Sequence, residues 1–220
     1  MLAERSAPPP DCPRCPRLVA YRQTLRALHH DWFNAPVPSF GPSDARLLVV
    51  GLAPGASGAN RTGRPFTGDY AGVVLYPALA SAGLANERFD ARLDDGLELQ
   101  GARITNAVRC VPPANKPTPE EIRNCRDYLR DEVSALPADG VVLALGRIAH
   151  ESVLKCLGLK QALYPFVHGQ VHRPPGAPRL IDTYHTSRYN MNTGRLTLAM
   201  VQAVARTIQV ELTRQGSDGH

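Results

Sequence analysis

One run of residues determines how this chain folds: Arg46-Leu-Leu-Val-Val50 leads directly into Gly51-Leu-Ala-Pro-Gly-Ala-Ser-Gly-Ala-Asn-Arg-Thr-Gly-Arg-Pro-Phe-Thr-Gly-Asp69. The first part is apolar and has no polar alternation, which predicts a strand covered on both faces in a parallel sheet. The loop that leaves the carboxyl end of such a strand is the usual ligand site of an open α/β sheet. Its five glycines allow close backbone approach. We therefore expect a binding loop here and not an idle, mobile surface loop.

This loop lacks both of the common phosphate-binding motifs. It has neither the glycine-lysine pattern of a P-loop nor the three-glycine spacing of a Rossmann dinucleotide site. Mononucleotide and dinucleotide binding of those two kinds are therefore disfavoured.

Length and charge limit the class of protein. The 220 residues suffice for one substantial core, so we expect a single domain over residues 1–220. The formal charge of +5 favours an anionic partner. No apolar run reaches the ~20 residues that cross a bilayer, and the amino terminus lacks the apolar centre of a signal peptide. We therefore expect a cytoplasmic protein with no membrane partner, whose cysteines are reduced, buried or bound to metal.

Further apolar segments alternate with helix-like segments along the chain. Because alternating strands and helices form parallel sheets with helices on both faces, we predict a three-layer α/β/α fold around a four-stranded parallel sheet. Thr118-Pro-Glu-Glu121 is a capping-box start with proline at the first helical position. Residues from about 214 to 220 are expected to form a disordered tail. The predicted strands are 46–50, 102–109, 140–146 and 180–184, and the predicted helices are 18–30, 71–85, 118–136, 148–157 and 193–212.

Four cysteines have a spacing typical of metal ligands. Cys12 and Cys15 form a C-x-x-C flanked by prolines, Cys110 ends the second predicted strand, and Cys125 lies on the following helix. A tetrahedral zinc or a cubane iron-sulfur cluster would fit, and the spacing does not choose between them. The proline-rich terminus cannot form regular backbone hydrogen bonds and therefore needs another anchor. Cys156 is interpreted as a small buried apolar residue.

A second polar segment, His185-Thr-Ser-Arg188-Tyr-Asn190-Met-Asn192-Thr-Gly-Arg195, follows the fourth predicted strand. A histidine at the carboxyl end of a strand, followed by hydroxyls and a basic stretch, indicates a site loop. The alternative is a capped turn that enters the next helix, with Ser187 as its cap.

These segments together resemble the family 5 (type b) uracil-DNA glycosylases. The resemblance runs from Cys12 to about Arg195 and implies the uracil-DNA glycosylase-like fold, a 4Fe-4S cluster on the four cysteines, with zinc as the alternative, and hydrolysis of the N-glycosidic bond of deaminated bases in DNA. This chain departs from the common His-Pro-Ser pattern at Thr186. The matching motifs are Gly51-Leu-Ala-Pro54, Asn60-Arg-Thr-Gly-Arg-Pro-Phe-Thr-Gly-Asp69, Thr105-Asn-Ala-Val-Arg-Cys-Val-Pro-Pro113 and His185-Thr-Ser-Arg188.

The roles of the site residues follow from the demands of that reaction. A damaged base must leave the stack and be held by stacking and by its polar edge. Phe66 can stack on the base, Asn106 can offer its amide to the base edge, and His185 can donate to the carbonyl oxygen where negative charge collects. Further substrate contacts are expected from Gly51, Ala53, Pro54, Gly55 and Ser187, DNA contacts from Arg61, Arg64, Arg188 and Asn190, and a duplex wedge from Tyr189 or Met191.

The attacking water has no polar partner in the Gly-x-x-Pro opening, because Leu52 and Ala53 are apolar. Either Asp69 orients the water, or the bond breaks dissociatively and the sugar cation captures water without a base. The apolar positions also leave room beside the base. We therefore expect excision of hypoxanthine as well as uracil, with xanthine as a further candidate, mostly from double-stranded DNA. The protein is expected to act as a monomer.

Two other classes of protein compete with this interpretation. One is a metal-containing hydrolase of free nucleosides or nucleotides, and the other is a non-enzymatic iron-sulfur protein that binds nucleic acid. In the second class His185 and Asn106 would have no reason to matter.

Overall fold

The computed structural model describes residues 7–214, so the predicted tail lies outside the described residues apart from Arg214. Five strands and seven α-helices are present in the described part of the chain. The strands are β1 (Leu47–Gly51), β2 (Ala102–Asn106), β3 (Val141–Leu145), β4 (Val171–His172) and β5 (Arg179–Thr183), and the helices are α1 (Pro16–Leu28), α2 (Ala59–Thr62), α3 (Tyr70–Ser81), α4 (Pro119–Ser134), α5 (Arg147–Cys156), α6 (Arg188–Asn192) and α7 (Leu198–Thr213).

The strands form a sheet with the order β2-β1-β3-β5-β4. Strand β1 is parallel to both β2 and β3, with Gly51 opposite Asn106 at its end, and β3 is parallel to β5. Because parallel strands end at the same edge of the sheet, the segments that follow Gly51, Asn106 and Thr183 meet at this carboxyl edge.

The sheet is covered on both faces, as the apolar first strand predicts. Leu47 and Val49 pack on one face with residues of α3 and α7. Leu48 and Val50 pack on the other face with residues of α4 and α5. Burying an aliphatic side chain of this size stabilises a fold by about 1.5–3 kcal/mol. The predicted three-layer α/β/α fold is therefore confirmed.

The fifth strand was not predicted, because the short β4 lies in a proline-rich stretch without a strand-like pattern. It pairs antiparallel with β5 at the edge of the sheet, with His172 opposite Leu180. A buried hydrogen-bonded group fixes it: His172 Nε2 lies 2.8 Å from Oδ2 of Asp182, and His150 Nδ1 lies 2.7 Å from Oδ1. The hydrogen bond between His172 and the buried Asp182 anchors β4 to β5, so a strand of only two residues is held at the edge of the sheet.

Helix boundaries differ from the predictions where capping residues intervene. The predicted helix 193–212 begins only at Leu198, as α7, because Gly194 has a φ of +70° and Thr197 caps α7 by accepting a hydrogen bond from the backbone N–H of Met200. The short α6 lies before the predicted range. The capping box at the start of α4 is confirmed, since Thr118 and Glu121 each accept a hydrogen bond from the other's backbone N–H. In the described part of the chain, no helix combines the length and the apolar character needed to span a bilayer.

Candidate active site

A cavity of about 500 Å³ opens at the carboxyl edge of the sheet. This volume lies within the range of roughly 300–1,000 Å³ found for small-molecule sites. Three segments meet there: the loop after β1, the end of β2 and the segment after β5. Of the predicted site residues, Ala53, Pro54, Gly55, Phe66, Asp69, Asn106, His185, Ser187 and Arg188 line this cavity.

Two side chains that line the cavity, those of Phe66 and Asn106, pack against the backbone at Gly51. A Cβ built on Gly51 would lie 2.7 Å from Cζ of Phe66 and would overlap Oδ1 of Asn106. Glycine therefore allows both side chains to approach the backbone. Phe66 itself has a φ of +53°, a left-handed conformation that is uncommon for a bulky residue and is found mainly where function requires it.

Arg64 is buried beneath this loop, so the prediction that it holds the DNA backbone is corrected. Its side chain is 4% exposed and its Nη2 lies 2.7 Å from Oδ2 of Asp95, which is fully buried. Its Nε donates to Oγ1 of Thr67 at 2.7 Å. A paired and buried guanidinium group cannot reach a phosphate from solvent. Its contacts instead fix the turn that carries Phe66.

Asp69 begins α3 and also lines the cavity. Its Oδ1 accepts a hydrogen bond from the backbone N–H of Gly72 at 3.3 Å. Its Oδ2 lies against the glycine loop, 3.6 Å from the position of a Cβ on Gly55. Burial raises the pKa of Asp69, and hydrogen bonds from the N–H groups of Gly72 and Ala71 oppose this rise. The carboxyl group therefore caps the helix while it faces the cavity.

His185 lies across the cavity from this loop. Its ring centroid is 6.0 Å from that of Phe66. Burial lowers the pKa of His185, so the imidazole is neutral at neutral pH and carries one N–H donor. Neither ring nitrogen is hydrogen-bonded to any residue in 7–214. The donor is therefore free to bind a ligand.

Hydrogen bonds hold the backbone of the His185 segment. The buried Thr186 donates from Oγ1 to the carbonyl oxygen of Ala71 at 3.1 Å. Asn190 donates from Nδ2 to the carbonyl oxygen of His185 at 2.8 Å. Ser187 caps α6 and also lines the cavity. The segment is therefore both a capped turn that enters a helix and a loop of the cavity. The Asn190 amide is directed at the protein backbone and not at the solvent.

The predicted DNA-contacting residues on the rim differ in their exposure. Arg61 is exposed, and its Nε donates to the carbonyl oxygen of Ser57 at 2.9 Å. Arg188 is exposed beside the cavity. Tyr189 is 72% exposed, whereas Met191 packs against the apolar cluster around Leu196. Tyr189 is thus the wedge candidate that remains accessible.

Tyr70 and Asn115 are among the residues that line the cavity and were not identified from the sequence. Tyr70 follows Asp69 at the start of α3, and Asn115 lies in the loop between β2 and α4. Asn115 and its neighbour Ala114 both have positive φ, of 56° and 54°. The pair lies between prolines in Pro112-Pro-Ala-Asn-Lys-Pro117, and this constrained loop was the signal that could have found it.

The four predicted metal ligands surround a second, small cavity between α1 and α4. Burial, followed by the neighbouring Cys125 thiol, raises the pKa of the Cys110 thiol to about 12. Several N–H donors point at the sulfurs: Nη1 of the buried Arg22 lies 3.6 Å from Cys110 Sγ, and the backbone N–H of Arg109 lies 3.3 Å from Cys125 Sγ. Such donors and a buried cation oppose the rise caused by burial and stabilise the thiolate, which is the form that binds metal.

This cysteine site lies directly behind the loop that follows β1 and lines the cavity, which is called the active loop below. The N–H groups of Ala107 and Val108 donate to the carbonyl oxygens of Gly51 and Leu52 at 2.9 and 3.0 Å. Ala53 packs against the apolar cluster that contains Val108. The segment that leads to Cys110 therefore supports the loop that lines the cavity.

Comparison with known proteins identifies the family. The model of the uracil DNA glycosylase superfamily matches residues 38–209. The chain belongs to this superfamily. A type-5 uracil-DNA glycosylase of Thermus thermophilus is 50% identical over 194 residues, which cover 86% of this chain and 88% of that protein. A type-5 uracil-DNA glycosylase of Pyrobaculum aerophilum is 46% identical over 89% of this chain and 87% of its own length. One of Mycobacterium tuberculosis is 42% identical over 89% of this chain and 76% of its own length.

The part that matches the uracil DNA glycosylase superfamily contains the whole cavity. It begins after Cys12 and Cys15, so the amino-terminal cysteine pair lies outside the matched core. The α/β/α fold and the cavity at the carboxyl edge of the sheet agree with membership of this superfamily.

Proposed function

We propose that this protein is a DNA-repair glycosylase that hydrolyses the N-glycosidic bond of uracil in double-stranded DNA and leaves an abasic site. The observation that carries the proposal is the convergence of Phe66, Asn106 and His185 on one cavity, in a chain of the uracil DNA glycosylase superfamily. The three side chains supply a stacking surface, an amide and a neutral N–H donor, which are the groups that a flipped base requires.

Base recognition rests on Phe66 and Asn106. The flipped base stacks on the Phe66 ring, while the Asn106 amide presents a donor and an acceptor to its polar edge. Gly51 holds both groups against the strand, and no residue in 7–214 forms a hydrogen bond with the Asn106 amide. The amide is therefore available to the ligand.

His185 acts on the leaving base. As the glycosidic bond breaks, negative charge collects on the carbonyl oxygen of uracil, and the N–H of the neutral imidazole donates to it. A donor placed for the transition state lowers the barrier more than it strengthens ground-state binding. The absence of other ring partners for His185 among the described residues supports this role.

Asp69 orients the attacking water in this proposal. It is the carboxyl group that lines the cavity, and its Oδ2 lies against the glycine loop. The alternative is a dissociative reaction, in which the sugar cation captures water without a base. The two routes differ in their demand for a carboxylate, so Asp69→Asn distinguishes them.

The proposed substrate range includes hypoxanthine, with xanthine as a further candidate. Leu52 and Ala53 place apolar groups beside the base where a polar side chain would discriminate. Recognition by shape and apolar contact discriminates by only about 1–3 kcal/mol. Single-turnover assays on matched duplexes test this: uracil release with hypoxanthine at background would contradict the broad range.

A gel assay tests the main proposal. The protein is incubated with a uracil-containing duplex, abasic sites are cleaved with alkali, and the products are compared with those of a matched thymine duplex. We expect cleavage at the uracil position alone. Release of uracil from free deoxyuridine but not from the duplex would instead support a nucleoside hydrolase. DNA binding without release would support a non-enzymatic protein.

We also propose that Cys12, Cys15, Cys110 and Cys125 hold a 4Fe-4S cluster with a structural role. The cluster would supply a cross-link between the amino-terminal segment and the segment behind the active loop, since metal binding contributes directly to folding. Protein purified without oxygen should be brown and contain iron and sulfide. A colourless preparation with stoichiometric zinc would contradict the cluster while leaving the four ligands in place.

The remaining proposals concern the state of the protein in the cell. We propose a cytoplasmic monomer that acts as one domain over residues 1–220. Light scattering after size exclusion tests the oligomeric state. We further propose Tyr189 as the residue that enters the duplex beside the flipped base, because its ring is exposed next to Arg188.

A further inference from the structure

Three exposed arginines at the carboxyl edge of the sheet have no acidic partner in the part of the chain that the structure describes. Arg147 begins α5 directly after β3, Arg188 begins α6, and Arg195 lies between α6 and α7. Within residues 7–214, no carboxylate lies within 4.0 Å of these guanidinium groups, and none of them donates a hydrogen bond to another residue. By contrast, Nη2 of Arg17, on α1, lies 2.7 Å from Oε2 of Glu121. The three edge arginines therefore keep their donors free of every residue in this range.

Each of these arginines lies over an aromatic ring. The distances from the guanidinium carbon to the ring centroid are 5.5 Å for Arg147 over Phe166, 5.1 Å for Arg188 over Tyr70, and 4.7 Å for Arg195 over Tyr184. The rings of Phe166 and Tyr184 are themselves in contact, with centroids 6.0 Å apart. A cation held over a ring loses less conformational freedom when it binds a ligand.

The sheet brings these groups to the mouth of the active-site cavity. The N–H of Gly146 donates to the carbonyl oxygen of Thr183 at 2.7 Å, which joins the ends of β3 and β5. Arg188 and Tyr70 line the cavity itself. Arg147 and Arg195 do not line it, so they form a basic surface beside it.

We propose that Arg147 and Arg195 extend the contact of Arg188 into a row that binds successive phosphates of the DNA strand beside the flipped base. The inference rests on the proposed action on DNA. A guanidinium group matches a phosphate through two parallel hydrogen bonds, and an arginine without an acidic partner has no salt bridge to break first. Cations on the surface outside the cavity fit a polymer of phosphates and would contribute nothing to a free nucleoside.

Salt-dependent binding tests the row on an undamaged duplex. Each phosphate contact contributes about 0.9 to the slope of log affinity against log salt. We expect Arg147→Gln and Arg195→Gln each to reduce the slope by about that amount, which is an affinity loss of about eightfold at 0.1 M salt if the affinities converge at 1 M. Arg206→Gln is the matched control, because Arg206 is exposed about two turns beyond the start of α7 and lies over no ring among residues 7–214.

The aromatic support is tested separately. Phe166→Leu keeps all the charges but removes the ring under Arg147, and we expect an affinity loss of about two- to fivefold with little change of slope. Thermal unfolding and circular dichroism establish that each variant is folded. An unchanged affinity for Phe166→Leu would overturn the role of the ring.

Other outcomes separate this inference from the proposed function. Slopes of the Arg147 and Arg195 variants equal to that of the unmodified protein would overturn the phosphate row, as would an equal loss in Arg206→Gln. If uracil release from duplex DNA proceeds normally in the unmodified protein, only the inference fails. If uracil is never released, the proposed function fails, whatever the slopes show.

Discussion

Replacing Gly51 by alanine should damage catalysis far more than stability. The added methyl carbon would lie 2.7 Å from Cζ of Phe66, whereas ordinary contacts begin near 3.4 Å, so the ring must retreat by about 0.7 Å. Oδ1 of Asn106 is closer still and must also move. A displacement of about 1 Å at a substrate-positioning group can cost ~10²-fold in rate. Overpacking of a core typically costs only about 1–3 kcal/mol. We therefore expect single-turnover uracil release at saturating enzyme to fall by ~10²-fold in a folded protein.

Gly83→Ala separates the catalytic effect from general destabilisation. Gly83 has a φ of +71° and nothing within 4 Å of an added Cβ, so alanine is strained there but clashes with no side chain. A left-handed conformation costs a non-glycine residue roughly 1–2 kcal/mol. This variant should lose similar stability in thermal unfolding but keep its rate. If Gly51→Ala released uracil as fast as Gly83→Ala, the argument that Gly51 positions Phe66 and Asn106 would be refuted.

Four further variants test the site and the fold. His185→Ala should lower single-turnover release by about 10²- to 10³-fold with little loss of DNA binding, and weak binding with full speed at saturation would contradict this. Asp69→Asn keeps the helix cap, so a large rate loss supports water orientation and full activity supports the dissociative route. Burial alone would raise the pKa of Asp95, but hydrogen bonds from its arginine partner and two backbone N–H groups lower it to about 2. Its ionised form therefore stabilises the fold above pH 4, and about 2 kcal/mol of this is lost as pH falls from 4 to 2. Denaturant unfolding should show a weaker pH dependence in that window for Asp95→Asn. Thr186→Val should keep the side-chain volume but lose the hydrogen bond to the Ala71 carbonyl. We therefore expect about 1 kcal/mol less stability and slower uracil release. An unchanged rate would show that this hydrogen bond does not position the loop.

The sequence predicted those features of the fold that depend on local pattern. A strand buried on both faces must be apolar throughout, so β1 and the loop after it could be located without a structure. Because parallel strands end at one edge, Asn106 and His185 could be assigned to the same site although they are far apart in the chain. The capping box of α4 depends on four adjacent residues and was predicted for the same reason.

Features that depend on distant partners could not be predicted. Arg64 and Arg188 look alike in the sequence, since both follow polar or glycine-rich segments, but Arg64 meets Asp95 in the folded chain and is withdrawn from solvent. The short β4 depends on His172 meeting the buried Asp182. The positive φ of Asn115 places it at the cavity, although its residue type is ordinary for a loop. For Arg64 and His172 the deciding partner is distant in the sequence and is brought close only by the fold.

Thr186 shows how a different interaction can meet one structural need. Proline at this position would limit the backbone by fixing φ, independently of the rest of the protein. Threonine leaves φ free, but its buried hydroxyl donates to the carbonyl oxygen of Ala71 in the first turn of α3. That turn is capped by Asp69, so the hydrogen bond joins the segment that carries His185 to the element that carries the proposed water-orienting carboxyl group. The rigidity of the His185 segment then depends on its contact with the start of α3. Displacement of α3 would shift His185 and Asp69 together.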